Sequence, residues 1–322
     1  MFGHQSTRQI DLHLPTGWNR CTTEELEAIA AAIIQEQQRV DRYHPFDWSR
    51  VKLNVMLAVN SIEIVSDAAS KLGITGRFMG DEEYLVRRSK NEEPWPITVG
   101  HLAALTERLA WIDDKKASKI IFQFPYPELT LRRTAGSSGR RASIIHLQAP
   151  PPLLDGYTWN EYRLLTDWMQ VYMRHSNAKN AKGAAQAQRE FLAILFKPCG
   201  EPQGVVAAEH TSSISHLTSD IFTDFSPVKW QVILFWWSSL MSMLAKKFPK
   251  VFKQQPVGKG KRRPQQQDTP WDFYNRVTAT IQKYIGGLSE HDVNNATYGT
   301  ILQQLEMMAD EAAEMEKIKR KK

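Results

Sequence analysis

Apolar residues recur at helical spacing along most of this 322-residue chain, and capping signals precede several of these patterns. Thr22 to Glu25 has the Thr-x-x-Glu form of a capping box, in which two side chains satisfy free N–H groups at a helix start. The apolar positions that follow keep the i, i+3, i+4, i+7 spacing of one buried helix face; they are Leu26, Ile29, Ala30, Ile33 and Ile34. Repeated patterns of this kind predict a mainly α protein with a multi-helix body.

Further helices are predicted over Trp48 to Val65, Thr98 to Trp111, Trp159 to Met173 and Ser226 to Phe248. The third carries an aromatic stripe of Trp159, Tyr162, Trp168 and Tyr172. Such rings can stack on nucleic-acid bases. We favour core packing, because burial of each large ring contributes about 1.5–3 kcal/mol.

A small β element is expected within residues 118–148. Lys119 to Phe124 is rich in strand-forming residues and ends at Pro125, and proline interrupts a strand ladder. Arg141 to Gln148 is the predicted hairpin partner, on the far side of a glycine- and serine-rich turn at residues 136–139.

The end of the chain is predicted to form a C-terminal helical hairpin module. A helical body spans 1–252, a basic, Gln-rich linker spans 253–267, and the module spans 268–322. Thr269-Pro270 is a helix start signal, because proline suits the first helical position. Gly286-Gly287 separates this helix from a second helical region, which opens with the cap signal Ser289-x-x-Asp292.

The module is a predicted partner-binding surface, since an amphipathic helix offers anchors at i, i+3, i+4 and i+7 to a groove on another protein. The predicted contact residues are Trp271, Tyr274, Ile281, Leu302, Leu305 and Met308. The alternative is that these residues pack the module onto its own body.

Positive charge is concentrated in three stretches that hold no acidic residue: 129–154, 174–189 and 253–267. The whole chain has 41 Lys and Arg against 35 Asp and Glu, a net charge of +6. Basic segments attract phosphate backbones. A second hypothesis is therefore nucleic-acid binding through Arg140, Arg141, Lys261, Arg262 and Arg263, and the alternative is that these segments are solvated connectors.

No arrangement of reactive residues points to an enzyme. Gly258 to Lys261 lacks the spacing of a phosphate-binding loop, and neither a Gly-x-Ser-x-Gly elbow nor a His-Glu-x-x-His metal motif occurs. We therefore expect no catalytic residue, no cofactor and no bound metal. Cys21 and Cys199 are too few for a disulfide framework, which favours the reducing cytoplasm.

Membrane insertion is not expected either. The most apolar segment, Val232 to Ala245, is shorter than the roughly twenty residues that span a bilayer, and it contains serines. A buried helix fits it better.

Several blocks resemble tail-region proteins of Bacteroidetes phages and prophages that are encoded beside the tape-measure gene. The blocks are Leu14 to Asn19, Glu161 to Leu165, Phe191 to Pro198, Phe248 to Phe252 and the closing Trp271 helix with its acidic, Met-rich successor. This resemblance implies a role similar to that of tail assembly chaperones, which coat the tape-measure protein. It implies tail proteins as partners and the host cytoplasm as location. The chain is much longer than such chaperones, so a structural component of the virion is an alternative.

Overall fold

The computed structural model describes residues 12–65, 83–114, 120–133, 143–198, 219–252, 270–286 and 288–321. Within these ranges, nine α-helices carry most of the chain, which confirms the predicted mainly α class with a small β element. The helices are α1 (Thr23–Arg39), α2 (Trp48–Val59), α3 (Val99–Glu107), α4 (Trp159–Asn177), α5 (Ala181–Leu195), α6 (Pro227–Lys247), α7 (Pro270–Ile285), α8 (Glu290–Asn295) and α9 (Tyr298–Lys321).

The described strands form two small antiparallel sheets. In the first, β2 (Glu83–Arg87) lies between β1 (Glu63–Ile64) and β3 (Trp95–Thr98). In the second, β5 (Ser143–Gln148) lies between β4 (Glu128–Arg133) and β6 (Lys197–Pro198). Gln148 marks the register of the second sheet, because it pairs with Glu128 on one side and Lys197 on the other.

The chain divides into two compact units. Unit 1 comprises Met1–Ile121 and Ser226–Trp236, and unit 2 comprises Phe122–Phe225 and Trp237–Lys322. The C-terminal helices α7–α9 therefore group with α4 and α5. The predicted linker, residues 253–267, lies outside the described residues, so the separate module over 268–322 stays a prediction.

In unit 1 the predicted capping box opens α1. The Glu25 N–H donates to Thr22 Oγ1 at 3.2 Å, and the Thr22 N–H donates to the Glu25 carboxylate at 2.7 Å. Trp18 is buried and makes edge-on contacts with Trp111 and Phe235, with ring centroids 5.4 and 5.2 Å apart. These contacts give unit 1 an aromatic core.

Helix α2 ends earlier than its pattern predicts. It stops at Val59 rather than Val65, because Ser61 adopts a left-handed conformation with φ of 53° and Glu63 then pairs with Arg87 in the first sheet. Ile62 is buried although it lies outside the helix.

The predicted strand over Lys119 to Phe124 is wrong for the described residues from 120 on. The strand begins at Glu128, after Pro125 and Pro127. Its partner over Ser143–Gln148 agrees with the prediction. Phe124 is buried in a loop, where its ring meets that of Phe196 at 5.6 Å edge-on. Tertiary packing thus uses these apolar residues without a strand ladder.

Candidate partner-binding surface

The C-terminal helices of unit 2 are joined to the start of α4 by backbone and aromatic contacts. The Trp159 N–H donates to the Ala296 carbonyl at 2.8 Å, and the Tyr298 N–H donates to the Tyr157 carbonyl at 3.0 Å. The rings of Tyr162 and Tyr298 stack with centroids 4.8 Å apart. Trp159 and Tyr162 are both buried, so the core interpretation of these two aromatic residues is the right one.

The six predicted contact residues fall into three groups. Ile281 and Leu302 are buried, so in this structure they offer almost no surface to a partner and agree with the alternative of packing within their own unit. Leu305 and Met308 are half-buried. The side chains of Trp271 and Tyr274 lie outside the described part of the chain. Partner binding by this set stays a prediction.

Helix α9 carries an apolar stripe that follows a heptad rule. Alternating steps of three and four residues, the spacing of a coiled-coil seam, connect its members; they are Tyr298, Ile301, Leu305, Met308, Ala312 and Met315. We call this stripe the α9 seam. The first two members are buried, the next two are half-buried, and the last two are exposed. The seam therefore runs from the core of unit 2 into solvent.

Apolar side chains are uncovered around the outer part of this helix. Met315 is 61% exposed, Ile318 53% and Met307 47%, and Tyr284 of α7 is also exposed. None of these four residues is among the predicted contact residues. The heptad spacing marks Met315 as part of the seam, but no local signal shows where the unit stops covering it.

Polar contacts of three acidic side chains, Glu306, Asp310 and Glu311, hold the middle of α9 in place. The Glu306 carboxylate accepts hydrogen bonds from the backbone N–H groups of Lys250 and Val251, each at 3.1 Å. The Lys250 ammonium forms an ion pair with Asp310. The Tyr284 hydroxyl donates to Glu311 at 2.5 Å, and this hydrogen bond raises the pKa of Tyr284. From Ala312 onward, the described side chains of α9 are exposed.

The five predicted nucleic-acid contacts, Arg140, Arg141, Lys261, Arg262 and Arg263, all lie outside the described residues. Another basic cluster lies within them. Arg174, Lys179 and Lys182 are exposed around the turn that joins α4 to α5. No acidic residue occurs between positions 174 and 189.

A buried ion pair lies at the other end of α4. The Lys197 ammonium is 2.6 Å from the Glu161 carboxylate, and it also lies 4.5 Å from the centre of the Tyr157 ring. Glu161 in turn accepts a hydrogen bond from the Thr158 N–H at 2.7 Å, which completes a capping box. These contacts join the start of α4 to β6. No local sequence pattern indicates them, because Glu161 and Lys197 are far apart in the chain.

Burial raises the pKa values of two side chains of the kinds that take part in reactions, Cys21 and Asp167. Burial, reinforced by the charge of Glu25, raises the pKa of the Cys21 thiol to about 12, which opposes formation of the nucleophilic thiolate. Burial raises the pKa of Asp167 to about 6, although the charge of Arg163 acts in the opposite direction. No group of His, Cys, Asp and Glu side chains in these ranges is placed to hold a metal ion.

Unit 2 also contains a half-open cleft of about 330 Å³. Asp155, Lys247, Phe248 and Tyr298 contribute to its lining. It therefore presents one charge of each sign beside aromatic surface, without a set of groups that converge on one kind of ligand.

Among the helices that the structure describes, none is long and apolar enough to cross a lipid bilayer. No protein-family model matches the chain, and neither a curated protein sequence nor a solved structure shows significant similarity to it.

Proposed function

We propose that this chain is a non-enzymatic assembly protein of a phage or prophage tail, which binds other tail proteins through its C-terminal helices. The tape-measure protein is the first partner to consider, given the resemblance in blocks such as Phe191 to Pro198. The observation that carries the proposal is the α9 seam, which leaves the core of unit 2 and continues uncovered to Met315.

The chemistry of the uncovered surface suits an extended helical partner. A helix that lays its apolar face into a groove is a recurring mode of protein recognition. Methionine is unbranched and polarisable, so Met307, Met308 and Met315 can adjust to different facing side chains. A protein that coats a long partner has to make similar contacts with many different segments of it.

The experiment is co-expression of the tagged chain with the tape-measure protein that the proposed phage or prophage encodes. We expect a complex that elutes together in size-exclusion chromatography. The double variant Met315→Glu/Ile318→Glu places two carboxylates on the surface. It should lower the recovered tape-measure protein by roughly tenfold, equivalent to about 1.4 kcal/mol.

The matched control is Met173→Glu, because Met173 is an exposed methionine on α4 in the same unit. This variant should recover as much partner as the unmodified chain. The proposal fails if the unmodified chain recovers no tape-measure protein, or if the double variant recovers as much as the control. Detection of the chain in purified phage particles would favour the alternative of a virion component.

Nucleic-acid binding remains a second candidate because of the exposed cluster of Arg174, Lys179 and Lys182. Phosphate contacts release counterions, so affinity for DNA should fall steeply between about 50 and 200 mM salt. The double variant Arg174→Glu/Lys182→Glu should then flatten the salt dependence. An apolar helix interface responds little to salt, so the two candidates give different results.

A further inference from the structure

We infer that the uncovered end of α9 pairs with the same segment of a second copy of this chain, with the two helices antiparallel. The inference rests on the proposed function, since it assigns a first occupant to the surface that tail proteins would bind. A tail protein that binds this surface then displaces the second copy.

The apolar part of this surface is continuous with an interface that the chain already makes. Tyr298 and Ile301 pack inside unit 2, and the α9 seam continues to Met315. Ile318 lies three residues further on, which places it beside Met315 along the helix. These two side chains are 61% and 53% exposed, so a second helix would remove a large part of their surface from water.

The order of charges favours an antiparallel second copy. Acidic residues precede the end of the helix, at Glu311, Glu314 and Glu316, and the six residues from 317 to 322 are all basic except Ile318. Parallel helices would place the basic ends together, and like charges opposite one another disfavour a pairing. Antiparallel helices place the acidic stretch of each copy against the basic end of the other.

One register satisfies the apolar and the charged residues together. If the two-fold axis passes between positions 316 and 317, Met315 of each copy lies opposite Ile318 of the other. Glu314 then lies on the same side of the helix pair as Lys317 of the second copy, within reach of its long side chain, and the symmetry repeats this pair. Glu314 and Lys317 are both exposed, so both are available for it.

The interface is short, which sets its strength. Standard protein interfaces bury roughly 1,600 Å² in total, and one helical segment of this length buries less. We therefore expect a weak dimer with a dissociation constant of roughly 10–100 μM. Weak pairing is consistent with displacement by a tail protein that offers a longer apolar helix.

The test is sedimentation equilibrium of the full-length chain from low micromolar to near-millimolar concentration. The unmodified chain should pass from monomer to dimer over this range. Glu314→Lys and Lys317→Glu should each raise the dissociation constant at least about tenfold, because each variant faces its own copy with like charges. Lys179→Glu, a charge reversal far along the chain at the α4–α5 turn, should leave it unchanged.

Two rescue measurements separate pairing from a general effect of charge. A mixture of the Glu314→Lys and Lys317→Glu chains should form a heterodimer, because each Lys then faces a Glu. The double variant Glu314→Lys/Lys317→Glu should dimerise like the unmodified chain. Monomer at every concentration, or no rescue in the mixture, would overturn the inference.

Failure of the homodimer and failure of the proposed function give different experimental results. A chain that stays monomeric but recovers the tape-measure protein on co-expression would refute the homodimer alone. A chain that dimerises and recovers no tail protein would refute the proposed function and leave the homodimer standing.

Discussion

Glu161 is a buried carboxylate with two partners in unit 2, Thr158 at the start of α4 and Lys197 of β6. It is 1% exposed, accepts from the Thr158 N–H at 2.7 Å, and lies 2.6 Å from the Lys197 ammonium. A charge this deeply buried is tolerated only while its partners stay in place. The pair therefore specifies how β6 and the start of α4 fit together.

Replacement of Lys197 by an uncharged residue should destabilise the folded chain. We expect Lys197→Met to lower the free energy of unfolding by about 3–5 kcal/mol, because it leaves the Glu161 charge buried without compensation. Urea denaturation followed by circular dichroism measures the change, with the exposed Lys182→Met as control. The double variant Glu161→Gln/Lys197→Met should recover much of the loss. A Lys197→Met chain as stable as the control would contradict this account of the pair.

Asp167 should make stability depend on pH in the opposite sense from a salt-bridged acid. Its pKa is raised to about 6, chiefly by burial, and one carboxylate oxygen is buried without a hydrogen bond. The folded state therefore binds more protons than the unfolded state between about pH 4 and 6. Its contribution to stability is fully present below about pH 4 and is lost as the pH rises through about 6.

Asp167→Asn removes this titration. We expect the variant to be more stable than the unmodified chain by about 1 kcal/mol at pH 8, and equally stable at pH 4. This gain is smaller than the gain expected for a fully buried carboxylate, because water screens the charge of the half-buried Asp167. Thermal or urea unfolding at the two pH values measures it. A gain of equal size at both would show that ionisation is not the cause.

Several contacts specify the turn between α4 and α5. Lys179 is left-handed with φ of 55°, and Asn180 caps α5 by accepting from the Gly183 N–H at 3.0 Å. A Cβ atom on Gly183 would lie 2.6 Å from Nδ1 of His175. The glycine is therefore needed for close approach of the two helices, and not for an unusual backbone angle.

Gly183→Ala should destabilise unit 2 by about 1 kcal/mol, even though alanine favours helix, because the imidazole of His175 has to move. His175→Ala removes the obstacle. In the double variant Gly183→Ala/His175→Ala the alanine at 183 should become neutral or stabilising. A double-mutant cycle on unfolding free energies measures this coupling. Strict additivity would show that the close approach has no energetic consequence.

Helix starts could be predicted from the sequence, whereas only one of the two predicted strands, Ser143–Gln148, was placed correctly. The boxes at Thr22 and Ser289 both form as predicted, because every atom of a capping box lies within four residues. The first strand of the second sheet was misplaced by several residues. Strand pairing depends on partners far away in the chain. Phe124 lies in a loop, where its ring packs against Phe196.

The candidate surface could be predicted only in part, because the burial of its residues depends on how other parts of the molecule pack against them. The spacing from Tyr298 to Met315 identifies one apolar stripe, and periodicity alone does not say which members a neighbouring element covers. Ile301 and Leu302 are buried within unit 2, while Met315 stays exposed. The predicted contact list therefore included buried residues and left out exposed ones.

The same packing implies that residues 268–322 are not dispensable to unit 2. Trp159 and Tyr162 are buried in part by contacts with this segment, including the stacked ring of Tyr298. Ile281 and Val293 are themselves buried. A chain that ends at Phe252 would expose Trp159 and Tyr162 and would lose the buried residues of the removed helices, and each large side chain contributes about 1.5–3 kcal/mol when buried.

We expect the chain ending at Phe252 to lose cooperative unfolding of unit 2 and to bind the dye ANS, which reports exposed apolar surface. The control is a chain ending at Glu314, which keeps all the buried residues of α9 and lacks Met315, Ile318 and Lys317. It should unfold within about 0.5 kcal/mol of the full chain, because exposed residues contribute little, and it should stay monomeric. If the shorter chain unfolds as cooperatively as the control, the C-terminal helices are an independent module after all, as the sequence predicted.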